Sequence, residues 1–212
     1  MGMVLGESVT KNDTLPLFPL RTVFFPGEII PLHIFEERYK SLIKNCMKDK
    51  TTFGIVLIES GKENSTEVIP YRMGTEAEIE QCIELQDGRL YIFVSGKRKF
   101  KIDRFNYSKE YLSGKIKWLQ EDIHGVNKEV EKLAFSLASD YIKYLRTMNS
   151  TFKMELNKGN TELLSYQIAQ VLDLSNEDRQ RILETKSTEE RLQMEIQVMR
   201  EYVNTSPSTS YG

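Results

Sequence analysis

Between Leu15 and Met47 the spacing of apolar positions changes twice, and the rest of the chain is organised around that stretch. Leu15, Leu17 and Phe18 are broken by Pro16 and Pro19. The run Leu20 to Phe25 is rich in strand formers. Pro26-Gly27 stops it, because proline has no N–H to donate and glycine accepts positive φ. Ile29, Ile30 and Leu32 make a second short apolar run around Pro31. From Phe35 the period becomes helical. Phe35, Tyr39, Leu42, Ile43, Cys46 and Met47 share one face, and Glu36, Glu37, Lys40, Lys44 and Lys48 the other. This pattern predicts a rigid entry into a β-domain with one helix packed across it.

Period two then takes over. Thr51 to Ile58 is a β-branched apolar run, and residues 61–66 read as a loop. Ala77, Ile79, Ile83 and Leu85 alternate with Glu76, Glu78, Glu80 and Glu84, which predicts a half-buried strand with a solvated acidic face. Asp87-Gly88 is a strong hairpin signal. The return run from Leu90 to Val94 is apolar on both faces, as in a central strand. Gly96-Lys97 reads as another turn, Phe100 and Ile102 continue the sheet, and Leu112, Gly114, Ile116 and Trp118 make a last strand. About six strands at this spacing argue for a closed or nearly closed β-domain.

Residues 121–126 break the alternation, and helical periodicity follows. Val130, Leu133, Ala134, Leu137, Ala138, Tyr141, Ile142, Leu145 and Met148 line one stripe. A second helix carries Leu163, Leu164, Ile168, Val171 and Leu172, and the last buries Leu192, Ile196, Met199 and Val203. Ser175-x-x-Asp178 and Ser187-x-x-Glu190 are capping boxes that open two further helices. The expected class is α+β: a β-domain over 15–122 with one packed helix, then a C-terminal helical bundle over 123–203. Residues 1–14 and 204–212 read as loose ends.

Composition narrows the function classes. The chain has 212 residues with 28% charged residues and a net charge of −2, so no global field favours nucleic acid or an anionic membrane. Cys46 and Cys82 sit on apolar faces and read as free thiols of a reducing compartment. No apolar run is long enough to span a membrane and no secretory leader is evident, so the expected location is the cytoplasm. His33 and His124 are the only histidines, and neither has zinc-type spacing to a cysteine, so no metal is expected. No phosphate-binding G-x-x-x-x-G-K-[ST] and no G-x-S-x-G elbow occurs, and no cofactor or catalytic role is expected.

The ordered motifs Leu-Pro-Leu-Phe-Pro-Leu at Leu15 to Leu20, Phe25-Pro26-Gly27, and Pro31-Leu-x-Ile-Phe-Glu-x-Arg-Tyr39 resemble the opening of the Lon protease N-terminal, substrate-binding domain, closest to stand-alone bacterial versions. Further likeness lies in Gly74-Thr75-Glu76-Ala77, Asp87-Gly88-Arg89 and Arg98-x-Phe100, and more weakly in the helices around Ala169 to Leu172 and Leu183 to Leu192. The resemblance implies a PUA-like β pseudo-barrel. It also implies non-catalytic recognition of unfolded or partly folded polypeptides, or of a specific protein partner, in protein quality control. An N-terminal fragment of a longer ATP-dependent protease is an alternative.

Two surfaces compete for that role. If Phe24 and Phe25 lie on a strand, they face opposite ways, so one ring is left in the cleft beside the helices or on the surface. The candidate polypeptide site is therefore Phe24, Phe25 and Pro26, framed by Arg38, Tyr39 and Arg72. The alternative is an RNA site on Lys97, Arg98, Lys99 and Lys101, where basic residues flank aromatics. A small-molecule-binding module is a third class.

Overall fold

The computed structural model describes residues 14–61, 68–120, 122 and 125–205, so the expectations for residues 1–13 and 206–212, for most of the 61–66 loop and for His124 lie outside the described residues; Thr14, Asn204 and Thr205, expected in loose ends, belong to a strand and a helix instead. The elements run β1 Thr14–Leu20, β2 Ile29–Ile34, α1 Glu37–Asp49, β3 Phe53–Ser60, β4 Ile69–Glu84, β5 Leu90–Asn106, β6 Ser113–Trp118, α2 Lys128–Met148, α3 Thr161–Val171, α4 Asn176–Glu184 and α5 Thr188–Thr205. The fold is α+β.

The sheet closes on itself. Its order is β2-β5-β4-β3-β1-β6, and β6 also pairs with β5, so five strands form a ring and β2 hangs outside it on β5. The long β5 makes this arrangement possible: Leu90 to Ser95 pair with β2, and Phe100 to Asn106 pair with β6. Ring closure leaves few edges free: among the described residues β2 is paired along one side only, and the Glu78–Glu84 half of β4 likewise pairs only with β5.

Several expectations need correction. The first strand is the proline-bearing Thr14–Leu20, not the run Leu20 to Phe25. Pro16 and Pro19 are tolerated because β1 changes partner midway, with Thr14 to Pro16 on β6 and Leu17 to Leu20 on β3, so neither half is hydrogen-bonded on both sides. Gly96-Lys97 is no turn. It marks a bulge inside β5, where Lys97 and Arg98 together face the single residue Glu76 of β4. On α1, Tyr39, Leu42, Ile43 and Cys46 are buried as expected, but Met47 is exposed, and so is Phe35, which lies ahead of the helix. Leu133 and Met148 of α2 are likewise exposed.

Other local signals match the structure. Gly88 turns the β4–β5 hairpin at φ 78°. The Asp178 N–H donates to Ser175 Oγ at 3.1 Å and the Glu190 N–H to Ser187 Oγ at 3.3 Å, so both predicted caps form.

Two cores and a seam result. The first core joins the inner faces of β2, β3, β4 and β5 to α1 through Phe18, Phe24, Ile34, Leu42, Phe53 and Ile92. The second joins α2, α3 and α5 through Ala134, Ala138, Leu164, Ile168, Leu192 and Met199. The seam between sheet and helices packs Val23, Phe25 and Leu57 against Tyr166, Ala169, Ile182 and Leu183. Residues 21–28 are a turn rather than a strand, so the alternation that would part the Phe24 and Phe25 side chains does not apply. Both rings are buried, one in each cluster.

That turn is bolted to the bulge. The Gly27 N–H donates to the Gly96 carbonyl at 2.9 Å and the Gly96 N–H to the Glu28 carbonyl at 2.8 Å. A Cβ on Gly96 would run into the Phe25 carbonyl oxygen, a backbone atom that cannot swing aside. Gly96→Ala is therefore expected to cost about 1–3 kcal/mol by forced displacement of packed backbone. A urea-unfolding midpoint that stays put would show that the turn is not held in this way.

Candidate functional site

On the outer side of the β2–β5–β4 arm, antiparallel register puts side chains in rows. His33 lies opposite Tyr91, which lies opposite Ile83. Pro31 lies opposite Phe93, which lies opposite Gln81. These positions alternate with Leu90, Ile92 and Val94, which point into the first core. The rings touch: Tyr91 and Phe93 meet edge-on with centroids 5.5 Å apart, and His33 sits 6.0 Å from Phe35 and 6.5 Å from Tyr91. Ile29, at the start of β2, is 66% exposed, Phe35, just past its end, 56%, and Ile83 43%. A contiguous face of this kind, made of large apolar groups left wet, is what association surfaces present; single exposed apolar residues need no explanation.

This face is not among the surfaces expected from the sequence. Its signal was the both-sided apolar run from Leu90 to Val94, taken for a strand covered on two sides. One side is covered by α1 and the core, and the other is open.

The residues singled out from sequence are spread among several settings. Phe24 and Tyr39 belong to the first core, where the Tyr39 ring packs 4.3 Å from that of Phe18. Phe25 lies in the seam, 5.9 Å from Tyr166. Pro26 lines a groove of about 500 Å³ between the turn, the bulge and α3, and Lys97, Arg98, Asn160, Glu162 and Leu163 line it with Pro26. Arg38 pairs with Glu36 at 2.8 Å and covers the Tyr39 ring. Arg72 donates to the carbonyls of Ile102 and Asp103 and lies over Phe105. Of the two settings expected for a ring at the Phe24–Phe25 corner, the cleft and the surface, Phe25 takes the cleft, where the helices cover it, and Phe24 goes into the first core.

The basic segment is largely neutralised where it stands. Lys97 pairs with Glu78 and with Glu80, the latter at 3.2 Å. Arg98 pairs with Glu76 at 2.8 Å and stacks 3.7 Å from the Trp118 ring centroid. Lys99 is 3% exposed and its Nζ donates to the Thr185 carbonyl at the end of α4. Only Lys101 of the four remains exposed without a carboxylate partner among the described residues. The acidic alternation of β4 is thus not a purely solvated face: Glu76, Glu78 and Glu80 are the cross-strand partners of the basic bulge.

Buried polar chemistry sits elsewhere. Glu195 on α5 is fully buried. It accepts from Ser165 Oγ at 3.0 Å, and Ser165 in turn accepts from Arg191 Nε at 3.1 Å. Arg191 also donates to Thr188 and Thr185 and stacks 4.3 Å from the Tyr166 ring. Burial pushes the Glu195 carboxyl well above the usual carboxylate range, against the opposing pull of Ser165 and Arg191. This cluster lies inside the helices, where Glu195 and Arg191 are both fully buried, and its bonds tie α5 to α3. Among the described residues no three His, Cys, Asp or Glu side chains group to hold a metal, and no helix is long and apolar enough to cross a membrane.

A folded-state pKa above the unfolded value means that Glu195 favours folding most below the unfolded value. Its contribution is then lost as pH rises toward the raised one. Glu195→Gln keeps an acceptor for Ser165 without the charge. It is expected to be more stable than the parent at pH 8, with the advantage shrinking toward pH 4, as read by thermal melts across pH. A constant offset at every pH would refute the raised pKa.

Residues 14–201 match the family model of the "ATP-dependent protease La (LON) substrate-binding domain". The Lon protease of Cytophaga hutchinsonii is 30% identical over 197 residues, which is 88% of this chain and 24% of that protein. Lon protease 2 of Myxococcus xanthus is 26% identical over 209 residues, 93% of this chain and 24% of that protein. The chain thus spans about a quarter of the length of these curated relatives. Among solved structures, a Lon N-terminal domain protein from Xanthomonas campestris superposes with a TM-score of 0.67 at 26% identity, covering 92% of this chain and 99% of that one. The N-terminal domain of a Mycobacterium avium complex Lon protease gives 0.61 at 16% identity, covering 89% and 99%. With a family model covering nearly the whole described chain, this protein belongs to the Lon substrate-binding domain family.

Proposed function

We propose that this chain recognises polypeptides without itself performing chemistry, and that the outer face of the β2–β5–β4 arm is where it does so. The observation that carries this proposal is the pair of rows His33–Tyr91–Ile83 and Pro31–Phe93–Gln81, flanked by the exposed Ile29 and Phe35. Flat aromatic and aliphatic groups of this kind suit low-specificity contact with apolar segments that a folded protein hides, because burial of apolar area is non-directional. Membership of a substrate-binding family supports the same partner class. A recognition part of this kind would act for an ATP-dependent protease, in the same chain or another.

Pro26 remains a candidate at the margin, since it borders the groove that opens beside the Glu28–Gly96 link at the start of β2. Phe24 and Phe25 would have to leave their clusters to touch a ligand. Their removal would strike stability, at about 3–5 kcal/mol for a buried Phe→Ala. Arg38, Tyr39 and Arg72 would contribute by holding α1 and β5 in place. An RNA role through Lys97, Arg98, Lys99 and Lys101 has less support, given the carboxylates and the carbonyl that already engage the first three.

Fluorescence anisotropy with a labelled, permanently unfolded polypeptide tests the proposal, with labelled single-stranded RNA in parallel. Phe35→Ser/Ile83→Ser should weaken polypeptide binding roughly tenfold, as expected when two well-placed apolar anchors are lost. The melting temperature should fall by only a few degrees, since both side chains are already about half exposed. Unchanged polypeptide binding would overturn the proposed face, and salt-sensitive RNA binding would revive the basic bulge.

A further inference from the structure

The same arm has an open edge, and its backbone is set up to accept another strand. The Gly96 N–H donates to the Glu28 carbonyl, which fixes which side of β2 faces β5. Backbone groups alternate sides along an antiparallel strand, so Glu28, Ile30, Leu32 and Ile34 turn theirs toward β5, and Ile29, Pro31 and His33 turn theirs away. Among the described residues β2 pairs with no other strand. Among the described residues, the Ile29 and His33 N–H groups have no hydrogen-bond acceptor. The free edge therefore offers two donors, at Ile29 and His33, and three carbonyl acceptors, with Pro31 supplying only a carbonyl.

We infer that an extended polypeptide segment binds by adding a strand to the free edge of β2; this rests on the proposed polypeptide recognition and names the class of segment recognised. The residues whose backbone faces the edge are the ones whose side chains stand on the apolar face. An added strand would thus carry its own outward side chains beside Ile29, Pro31 and His33 and lengthen the rows through Tyr91 and Phe93. The preferred segment alternates apolar with polar residues and lacks proline. A half-buried strand torn from an unfolded protein has that pattern. Main-chain bonds would provide affinity with little demand on sequence, and the rows a preference for apolar side chains.

Pro31 decides between such a segment and a second copy of this chain. Two β2 edges paired about a two-fold axis at Pro31 would set proline against proline where two hydrogen bonds should form, and none could. Shifting the axis to Ile30 or Leu32 still places Pro31 in two of the pairs. A foreign strand without proline loses only one bond at that point. Proline on an edge strand is a recognised guard against self-pairing, and here it leaves the heterologous partner favoured.

The test separates backbone from side chain. A short labelled peptide alternating valine or phenylalanine with serine is titrated into the parent, Pro31→Ala, His33→Ala and His33→Pro chains. Pro31→Ala restores the missing donor and should tighten binding roughly threefold to tenfold, the worth of one net hydrogen bond. His33→Pro should bind more weakly than His33→Ala by a similar factor, since the two differ in the outward donor. Affinities unmoved by Pro31→Ala, and equal for the two His33 variants, would overturn strand addition. If Phe35→Ser/Ile83→Ser still weakened binding in that case, recognition by the face would stand alone. Pro31→Ala that dimerises in sedimentation without gaining peptide affinity would also overturn the inference, by assigning the edge to a second copy.

Discussion

Two aromatic rings on consecutive residues enter two different clusters, and the attachment of helices to sheet depends on that division. Phe24 fills the first core and Phe25 the seam, and the backbone between them is pinned from several sides. Thr75 donates its hydroxyl to the Phe24 carbonyl, the Glu28 carboxylate accepts from the Phe25 N–H at 2.9 Å, and Gly27 and Glu28 are bonded to Gly96. Arg179 of α4 reaches across to stack 4.8 Å from the Phe25 ring and donates to the Val23 and Ala169 carbonyls. Burial lowers the Arg179 pKa and raises that of Glu28, and their mutual attraction opposes both shifts. Full burial of each ring is worth about 2–3 kcal/mol by area. The hydrogen bonds make that burial specific, since they leave the turn one register on β5.

The bulge that receives this turn also settles the electrostatics of the sheet. One extra residue in β5 sets Lys97 and Arg98 against Glu76, while Lys97 reaches Glu78 and Glu80 further along β4. In the linear sequence the acidic run and the basic run look like two separate surfaces, one solvated and one ready for phosphate. Folded, they are each other's counter-ions. Exposed pairs of this sort add little stability individually. Their larger effect is to cancel the positive field that a nucleic-acid surface would need.

What was legible from sequence follows the range of the interactions involved. The Asp87-Gly88 hairpin, the Ser175 and Ser187 caps and the strand of Ser113–Trp118 are local and form where their residues say, and the helical stripes do so except at Phe35, Met47, Leu133 and Met148, which are exposed. The proline-bearing β1 was misread because tolerance of Pro16 and Pro19 depends on which neighbours lie on either side, and those are β3 and β6, far along the chain. The bulge was misread as a turn for the same reason, since glycine marks both and only the β4 register tells them apart. The surface of the arm was the hardest to see. Apolar residues on both faces of β5 are equally consistent with a strand covered twice and with a strand covered once. The choice depends on ring closure leaving β2 and the first half of β5 outside.

Ring closure is also what allows an apolar face to exist on a stable fold. Five strands pair in a ring, and their inward residues are sealed by α1 and by packing across it, so the core does not draw on the arm's outer surface. Phe35, Ile83 and His33 belong to none of the buried clusters of the sheet, the seam or the helices. β2 in turn is fastened to β5 along its length and bonded at its start through Glu28 to Gly96. The pinned turn that joins helices to sheet therefore also fixes where the exposed edge begins. The surface proposed for partners thus draws little on the core for its own burial, while its position is set by a turn pinned from several sides.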